Sequence, residues 1–315
     1  MGRKIPALGL ALLAGAACLG GEAAAQAWEL TWSDEFEGPS NTLPDAAKWN
    51  VEVVANPANN EAQYYSDRTE NVSLNGKGQL ELTAYKEPAG NKQYTSGRIN
   101  TGGKFTQAYG RWEARMKLPA GVGMWPAFWI LGTNNGCGGW PNCGEIDWME
   151  NRGRQPTVSS SAMHGPGYSG NTPLVHAQTL PSGAPDLFSG FHDFAGEWYE
   201  GQVRFFVDGN LHYTVNKADV QKYGNWVYDH PFYTILNLAI GGNFDGGQLP
   251  PDAAFPAKLT VEYVKVYKGA VGIAIRPLTR SAPGRGFAGT DHDASGRRLP
   301  VTGRGKQALQ RVFSF

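Results

Sequence analysis

Short runs in which apolar and polar residues alternate dominate this chain, and they restrict it to folds built from β-strands. Long stretches with the apolar spacing of a helix are missing. Alternation with a period of two, interrupted by Gly, Asn, Asp and Pro, is typical of antiparallel strands joined by turns. The clearest runs are 79–84, 110–118, 202–207 and 259–267.

These runs lie within about 240 residues, and so many strands in that length predict two packed antiparallel sheets, a β-sandwich or jelly roll. Hydrophobic residues make up 41% of the chain and charged residues 18%, which is enough apolar material for a core. We therefore predict an all-β fold, with residues 26–268 forming one domain.

The first 25 residues have the pattern of a signal peptide. Arg3 and Lys4 precede a mostly apolar run at 5–19, and three alanines at 23–25 form a small-residue cleavage site. The run is too short to span a bilayer. We expect secretion to the periplasm or the medium. A lipoprotein attached through Cys18 is the alternative, and Gly15 disfavours it because leucine is preferred there.

The formal net charge is zero, but it is unevenly distributed. Residues 269–315 carry a net charge of +6 and are rich in Gly, Pro, Arg and Ser, which predicts a basic, disordered tail. Residues 26–268 carry about −7. An acidic domain favours a neutral ligand over a phosphate-rich one. We expect a monomer with no nucleic-acid or membrane partner.

Two cysteines, Cys137 and Cys143, remain once a signal peptide is removed. Export favours a disulfide between them, which would close a small loop. A zinc site is the alternative, but the two thiols have no nearby His or Cys to complete it.

Three acids, Glu145, Asp147 and Glu150, lie within six residues. Strict alternation would place Glu150 on the opposite face from the other two. One inserted residue, a β-bulge around Trp148 and Met149, would return it to their face. Retaining glycosidases use two carboxyl groups ~5–5.5 Å apart, one as nucleophile and one as acid/base. A solvated acidic strand or a calcium site is the alternative.

Tryptophans flank these acids, which favours a sugar ligand. Indole faces stack on the apolar faces of sugars and stabilise positive charge in an oxocarbenium-like transition state. The nearest are Trp125, Trp129, Trp140 and Trp148. Core packing is the alternative, and it fits Trp129 better than Trp125, which adjoins a Pro-containing loop.

The acid motif at 145–150 resembles the bulged E-x-D-x-x-E signature of glycoside hydrolase family 16, laminarinase branch. The lichenase branch resembles E-x-D-x-E instead. Further segments resemble the same family in the same order over residues 28–267. They are N-E-A-Q-Y-Y at 60–65, which resembles the family's N-N-E-x-Q-Y segment, T-S-G-R at 95–98, W-P-A-F-W at 125–129 and the late strand and loop at 232–243.

The resemblance implies a concanavalin-like jelly roll with a concave substrate cleft. It implies that Glu145 is the nucleophile, Asp147 a helper and Glu150 the acid/base. The residues that it places in the cleft are Asn60, Gln63, Arg98, Trp125, Trp129, His164 and Asn243. For His164 a hydrogen-bonded strand histidine is an equal alternative.

The resemblance also implies that catalysis needs no cofactor and that one structural calcium binds on the convex side. The candidate region for that ion is Glu35, Glu37, Gly38 and Glu262. Glu262 stands where an aspartate is expected, and no compact loop of oxygen ligands is evident.

We therefore expect a secreted, retaining endo-β-1,3-glucanase that acts on a laminarin-like polysaccharide. A glucan-binding module is one alternative, although such relatives typically lose the acids. A transglycosylase, or a hydrolase of mixed-linkage glucan, agarose or carrageenan, is another. A nucleotide cofactor is not indicated, because no Gly-rich phosphate loop follows a strand.

Overall fold

The computed structural model describes residues 27–269. The predicted signal peptide lies outside this range, as does the predicted tail at 269–315 apart from Gly269, which ends a strand. No helix within the described range has the length and apolar character needed to cross a membrane.

One sheet carries the acid motif, and we call it the acid-bearing sheet. Its seven strands are antiparallel and run in the order β12-β11-β10-β9-β16-β7-β2. Their bounds are β2 (Asn50–Val51), β7 (Arg98–Asn100), β9 (Met124–Gly132), β10 (Glu145–Glu150), β11 (Val158–His164), β12 (Leu174–Thr179) and β16 (Phe232–Ile240).

The second, opposite sheet has the order β15-β14-β13-β8-β17-β5-β4, with β1 alongside β17. Its strands are β1 (Trp28–Asp34), β4 (Val72–Leu74), β5 (Leu80–Ala84), β8 (Gly110–Lys117), β13 (His192–Tyr199), β14 (Gln202–Val207), β15 (Asn210–Asn216) and β17 (Ala257–Gly269).

Smaller elements complete the described fold. β3 (Gln63–Tyr65) and β6 (Tyr94–Ser96) form a separate parallel pair. Helix α1 covers Lys217–Val220, and two 3₁₀ turns cover Asn243–Asp245 and Asp252–Ala254. The prediction of an all-β fold with two antiparallel sheets is confirmed.

The alternation seen in the sequence corresponds to alternating burial. In β8 the side chains of Trp112, Ala114 and Met116 are fully buried, while Arg111 and Glu113 stay partly exposed. One face of each sheet therefore contributes to a shared apolar layer, and the other face is free to carry polar groups.

Large aromatic side chains fill the layer where it passes under β10. Trp148 is fully buried and stacks on Trp112 at 5.9 Å between ring centroids. A methyl group added at Gly196 in β13 would lie 2.0 Å from two ring carbons of Trp148. Only glycine at position 196 leaves room for that indole, and the packed indole fixes the position of the middle of β10.

Candidate active site

A β-bulge in β10 brings the three acids to one face. Asp147 pairs with Trp129 of β9, but the next pair is Met149 with Phe128, which leaves Trp148 as the extra residue. The register against β11 shifts at the same place. Trp148 and Met149 are both fully buried on the core side. The predicted bulge is confirmed, and it returns the following glutamate to the face of the first two acids.

His164 lies beside the acids, directly opposite Glu145 in the ladder between β10 and β11. Its Nε2 is 3.2 Å from Asp147 Oδ2 and 3.6 Å from Glu145 Oε1. One ring nitrogen of the histidine and one carboxylate oxygen of each of the two acids all lie within 4.8 Å of one another. The structure thus places the histidine in the acid cluster, and a protonated imidazole there would favour the ionised carboxylates.

Each outer acid accepts a hydrogen bond from an indole. Trp140 Nε1 donates to Glu145 Oε2 at 3.0 Å, and Trp125 Nε1 donates to Glu150 Oε1 at 2.9 Å. Trp140 lies on the loop closed by the predicted disulfide between Cys137 and Cys143, which the structure contains. The Trp140 side chain is 50% exposed, so it can contact a ligand as well as the acid.

Burial is the largest cause that raises the pKa of all three carboxyl groups. The pKa of Glu145 and that of Glu150 both rise to about 8, with the charge of Asp147 as the next cause. The pKa of Asp147 itself is raised well above its ordinary value by desolvation. Indole donors and His164 lower the values of the two glutamates. A cluster of this kind retains protons near neutral pH, as a general acid requires.

Trp129 lies on the same face as the acids and is only partly buried, whereas its neighbours Phe128 and Ile130 are fully buried. Partial exposure favours the predicted cleft position of Trp129 over the alternative of core packing, since β9 turns it toward the acid face. The guanidinium of Arg98 lies 5.1 Å from the Trp129 ring centroid. Arg98 is fixed in turn by a 3.0 Å ion pair with Glu52.

The remaining predicted cleft residues fall into two groups. Asn60 and Asn243 are exposed, and the amide of Asn60 donates to Asn243 Oδ1 at 2.9 Å. Gln63 is fully buried, donates to Glu61 at 2.6 Å and accepts from the Ile240 amide at 2.7 Å. The structure therefore does not bring Gln63 to the cleft surface.

A hollow of about 380 Å³ is lined in part by Trp140, whose indole donates to Glu145. The residues around it include Asn100, Leu131, Trp140 and Tyr233. Leu131 is the ladder partner of Glu145, so the hollow opens beside that acid. Its mixture of aromatic rings and amide groups suits a sugar ring, which has apolar faces and a polar rim.

Sequence reasoning missed the residues that support the cleft from behind. Phe244 stacks on Trp125 at 5.0 Å, and the Arg152 guanidinium lies 3.9 Å from the Phe244 ring centroid. Buried Asp245 pairs with Arg154 at 2.7 Å and holds this turn. The position of Arg152 and Arg154 just after the acid motif was the available signal, but their partners lie some 90 residues later.

The model of the family described as glycosyl hydrolases family 16 matches residues 59–265. The chain belongs to this family. It is a glycoside hydrolase, and the resemblance noted in its motifs is confirmed.

Relatives of known structure and a curated relative support the same conclusion. The β-glucanase of Rhodothermus marinus is 39% identical over 272 residues, which is 82% of this chain and 92% of the relative. The laminarinase catalytic domain of Thermotoga maritima is 40% identical with a TM-score of 0.71, covering 77% of this chain and 99% of that domain. The endo-β-1,3-glucanase of Pyrococcus furiosus is 40% identical with a TM-score of 0.72, covering 79% and 97%.

Glycoside hydrolases of this family need no cofactor for catalysis. Two of the four residues predicted to bind a structural calcium, Glu262 and Glu35, have carboxylates that are paired with cationic side chains. The carboxylate of Glu262 is 2.8 Å from Arg115 and accepts a hydrogen bond from Gln79, and that of Glu35 is 2.9 Å from Lys265. Calcium needs six to eight oxygen ligands, and paired carboxylates are less available to supply them. The structural calcium ion therefore stays a prediction.

Proposed function

We propose that this enzyme hydrolyses internal β-1,3 bonds of a laminarin-like β-glucan with retention of configuration. The observation that carries the proposal is the bulge in β10, which brings Glu145, Asp147 and Glu150 to one face. The relatives named above, a β-glucanase, a laminarinase and an endo-β-1,3-glucanase, support the substrate.

In the first step the carboxylate of Glu145 attacks the anomeric carbon while the carboxyl group of Glu150 protonates the departing glycosidic oxygen. The bond to that oxygen breaks, and a glycosyl ester on Glu145 forms. In the second step Glu150, now ionised, takes a proton from water as the water attacks the same carbon, and the ester bond to Glu145 breaks. Two inversions restore the original configuration and both acids.

Asp147 separates the tasks of the two glutamates. Burial raises the pKa of Asp147 well above its ordinary value, which favours its protonated form. In its protonated form Asp147 places no second charge beside Glu145, which favours the ionised carboxylate that attacks. Glu150 then keeps its own proton until the leaving oxygen needs it.

Aromatic rings and hydrogen-bond donors around the acids support an uncharged glucan as the substrate. Trp125, Trp129 and Trp140 supply indole faces for pyranose rings, while Arg98 and Asn60 supply hydrogen-bond donors for hydroxyl groups. The negative charge of residues 26–268 disfavours sulfated galactans such as carrageenan.

The direct test is release of reducing ends from laminarin, lichenan, agarose and carrageenan by the wild type and by Glu150→Ala. We expect release from laminarin that Glu150→Ala abolishes, and a β-anomer as the first product by NMR. Binding of laminarin without release would favour a glucan-binding protein instead. Chain elongation in place of release would favour a transglycosylase.

We also propose that the enzyme is exported as a monomer after its signal peptide is cleaved between Ala25 and Gln26. The disulfide between Cys137 and Cys143 supports export, because such bonds persist in oxidising compartments. N-terminal sequencing of the exported protein and light scattering test the two statements. Retention in the cytoplasm, or a mass of two chains, would contradict them.

A further inference from the structure

Glu61 is a buried carboxyl group that lies outside the acid cluster. It is 6% exposed and stands just before β3. Its Oε2 accepts hydrogen bonds from Gln63 Nε2 at 2.6 Å and from Tyr65 Oη at 3.0 Å. Both donor side chains are fully buried, and the Ile240 amide fixes the orientation of Gln63. The mechanism above leaves this carboxyl group unused.

A chain of hydrogen bonds runs from Glu61 to an indole on the acid face. Because Tyr65 gives its proton to Glu61, its oxygen is free to accept from Asn237 Nδ2 at 3.2 Å. The other end of that amide, Asn237 Oδ1, accepts from Trp129 Nε1 at 2.8 Å. Every donor in the chain points toward Glu61, so an anionic acceptor stabilises all three links.

The chain ends where a glucan would lie. Trp129 is the ladder partner of Asp147, and its ring also contacts the guanidinium of Arg98. The same guanidinium lies 5.9 Å from the ring centroid of Tyr65. Asn237 therefore sets the tilt of the Trp129 indole, and the rings of Tyr65 and Trp129 set the position of the Arg98 guanidinium. Both groups are partly exposed on the acid face.

We propose that Glu61 is a positioning residue that orients Trp129 and Arg98 through Tyr65 and Asn237 and so sets the affinity for the glucan chain. The inference rests on the proposed function, since it assumes that a glucan occupies the acid face. Glu61 acts on sugar binding and not on the chemistry. The hydrogen-bond chain reaches Trp129, whereas the outer acids Glu145 and Glu150 accept from two other indoles.

Two nearly isosteric substitutions test the chain. Glu61→Gln removes the charge at its end, and Tyr65→Phe removes its middle link. For each variant we expect KM for laminarin to rise about tenfold while kcat changes by less than about twofold, because sugar binding is weakened and the chemistry is not. The double variant should be no worse than either single variant, since both break the same chain.

Asp34 supplies a matched control. It is 7% exposed and accepts from an indole, Trp49 Nε1, at 2.7 Å, but it lies in β1 of the opposite sheet. Asp34→Asn should lower the melting temperature and leave KM unchanged. Comparison at equal folded fraction, checked by thermal unfolding, separates positioning from loss of stability.

Calorimetric binding of laminaripentaose in a Glu145→Gln background repeats the comparison without turnover. Weaker binding by Glu61→Gln but not by Asp34→Asn supports the inference even if the wild type transfers rather than hydrolyses. Unchanged affinity in Glu61→Gln and Tyr65→Phe, or additive losses in the double variant, would overturn it. An active wild type with that result would leave the proposed function intact.

Discussion

Two sets of three tryptophans in this enzyme differ in whether their indole N–H groups have a hydrogen-bond acceptor. The core set is fully buried between the sheets, and its N–H groups have no hydrogen-bond partner in residues 27–269. An unpaired buried donor costs about 1–3 kcal/mol, yet burial of ~150–250 Å² of aromatic surface offsets it. The members of the core set are Trp112, Trp148 and Trp198.

The cleft set consists of Trp125, Trp129 and Trp140, and each of its indoles donates to an acceptor. Two of the acceptors are the outer acids Glu145 and Glu150. Indoles in this fold therefore serve two purposes. The indoles of the core set stabilise through buried area alone, whereas those of the cleft set give up burial to hold a carboxylate or an amide in one orientation.

The largest effect is expected from crowding the core set. In Gly196→Ala the new methyl group would overlap the Trp148 ring, which cannot move without disturbing the bulge. We expect a loss of about 3 kcal/mol or failure to fold. Gly190→Ala is the matched control, because nothing lies within 4 Å of the added carbon. Equal urea midpoints for the two variants would contradict this account of the core.

Opening the disulfide tests how the cleft set is held. Cys137→Ser with Cys143→Ser should lower the free energy of unfolding by about 2 kcal/mol, as expected for a short loop. It should also reduce kcat severalfold, because Trp140 is no longer held against Glu145. Trp140→Phe with the disulfide intact should reproduce the loss of kcat without the loss of stability. A double-serine variant with full activity would show that the loop does not position the indole.

Removing one indole N–H from each set sharpens the comparison further. Trp125→Phe deletes the donor to Glu150, so kcat/KM should fall roughly tenfold, or about 1.4 kcal/mol. The pKa of Glu150 should rise further, because that donor lowers it, and the alkaline limb of the pH profile should move up. Trp112→Phe should change the melting temperature but should not change the pH profile of activity of the folded enzyme. A shifted pH profile in Trp112→Phe would remove the distinction between the sets.

The smallest effect concerns the stability of the acid cluster itself. Since burial raises the folded-state pKa of Asp147 above its unfolded value, the unfolded chain loses that proton first as pH rises. The contribution of Asp147 to the free energy of unfolding is therefore fully present below pH ~4 and is lost as the pH rises. Asp147→Asn should be more stable than the wild type at pH 8 by on the order of 1 kcal/mol and equal to it at pH 4. Melting curves at the two pH values give the comparison, and a variant that is less stable at pH 8 would contradict it.

The sequence predicted those features that depend on local period and spacing. Alternation gave the strands, and three acids at 145, 147 and 150 required the bulge that the structure contains. Features that depend on distant partners were not accessible. Gln63 is buried because β3 pairs with β6, a strand some 30 residues away. The position of Trp129 follows from the register of β9 against β10, which the pattern within β9 alone does not specify.

The central claim is that Glu145 is the nucleophile of the acid cluster. It is tested most directly by adding azide to Glu145→Ala with an activated laminaribioside as substrate. If azide occupies the space left by Glu145, activity should return with an α-glycosyl azide as the product, because only one inversion occurs. A β-glycosyl azide, or no rescue beside an inactive but folded variant, would contradict the assignment.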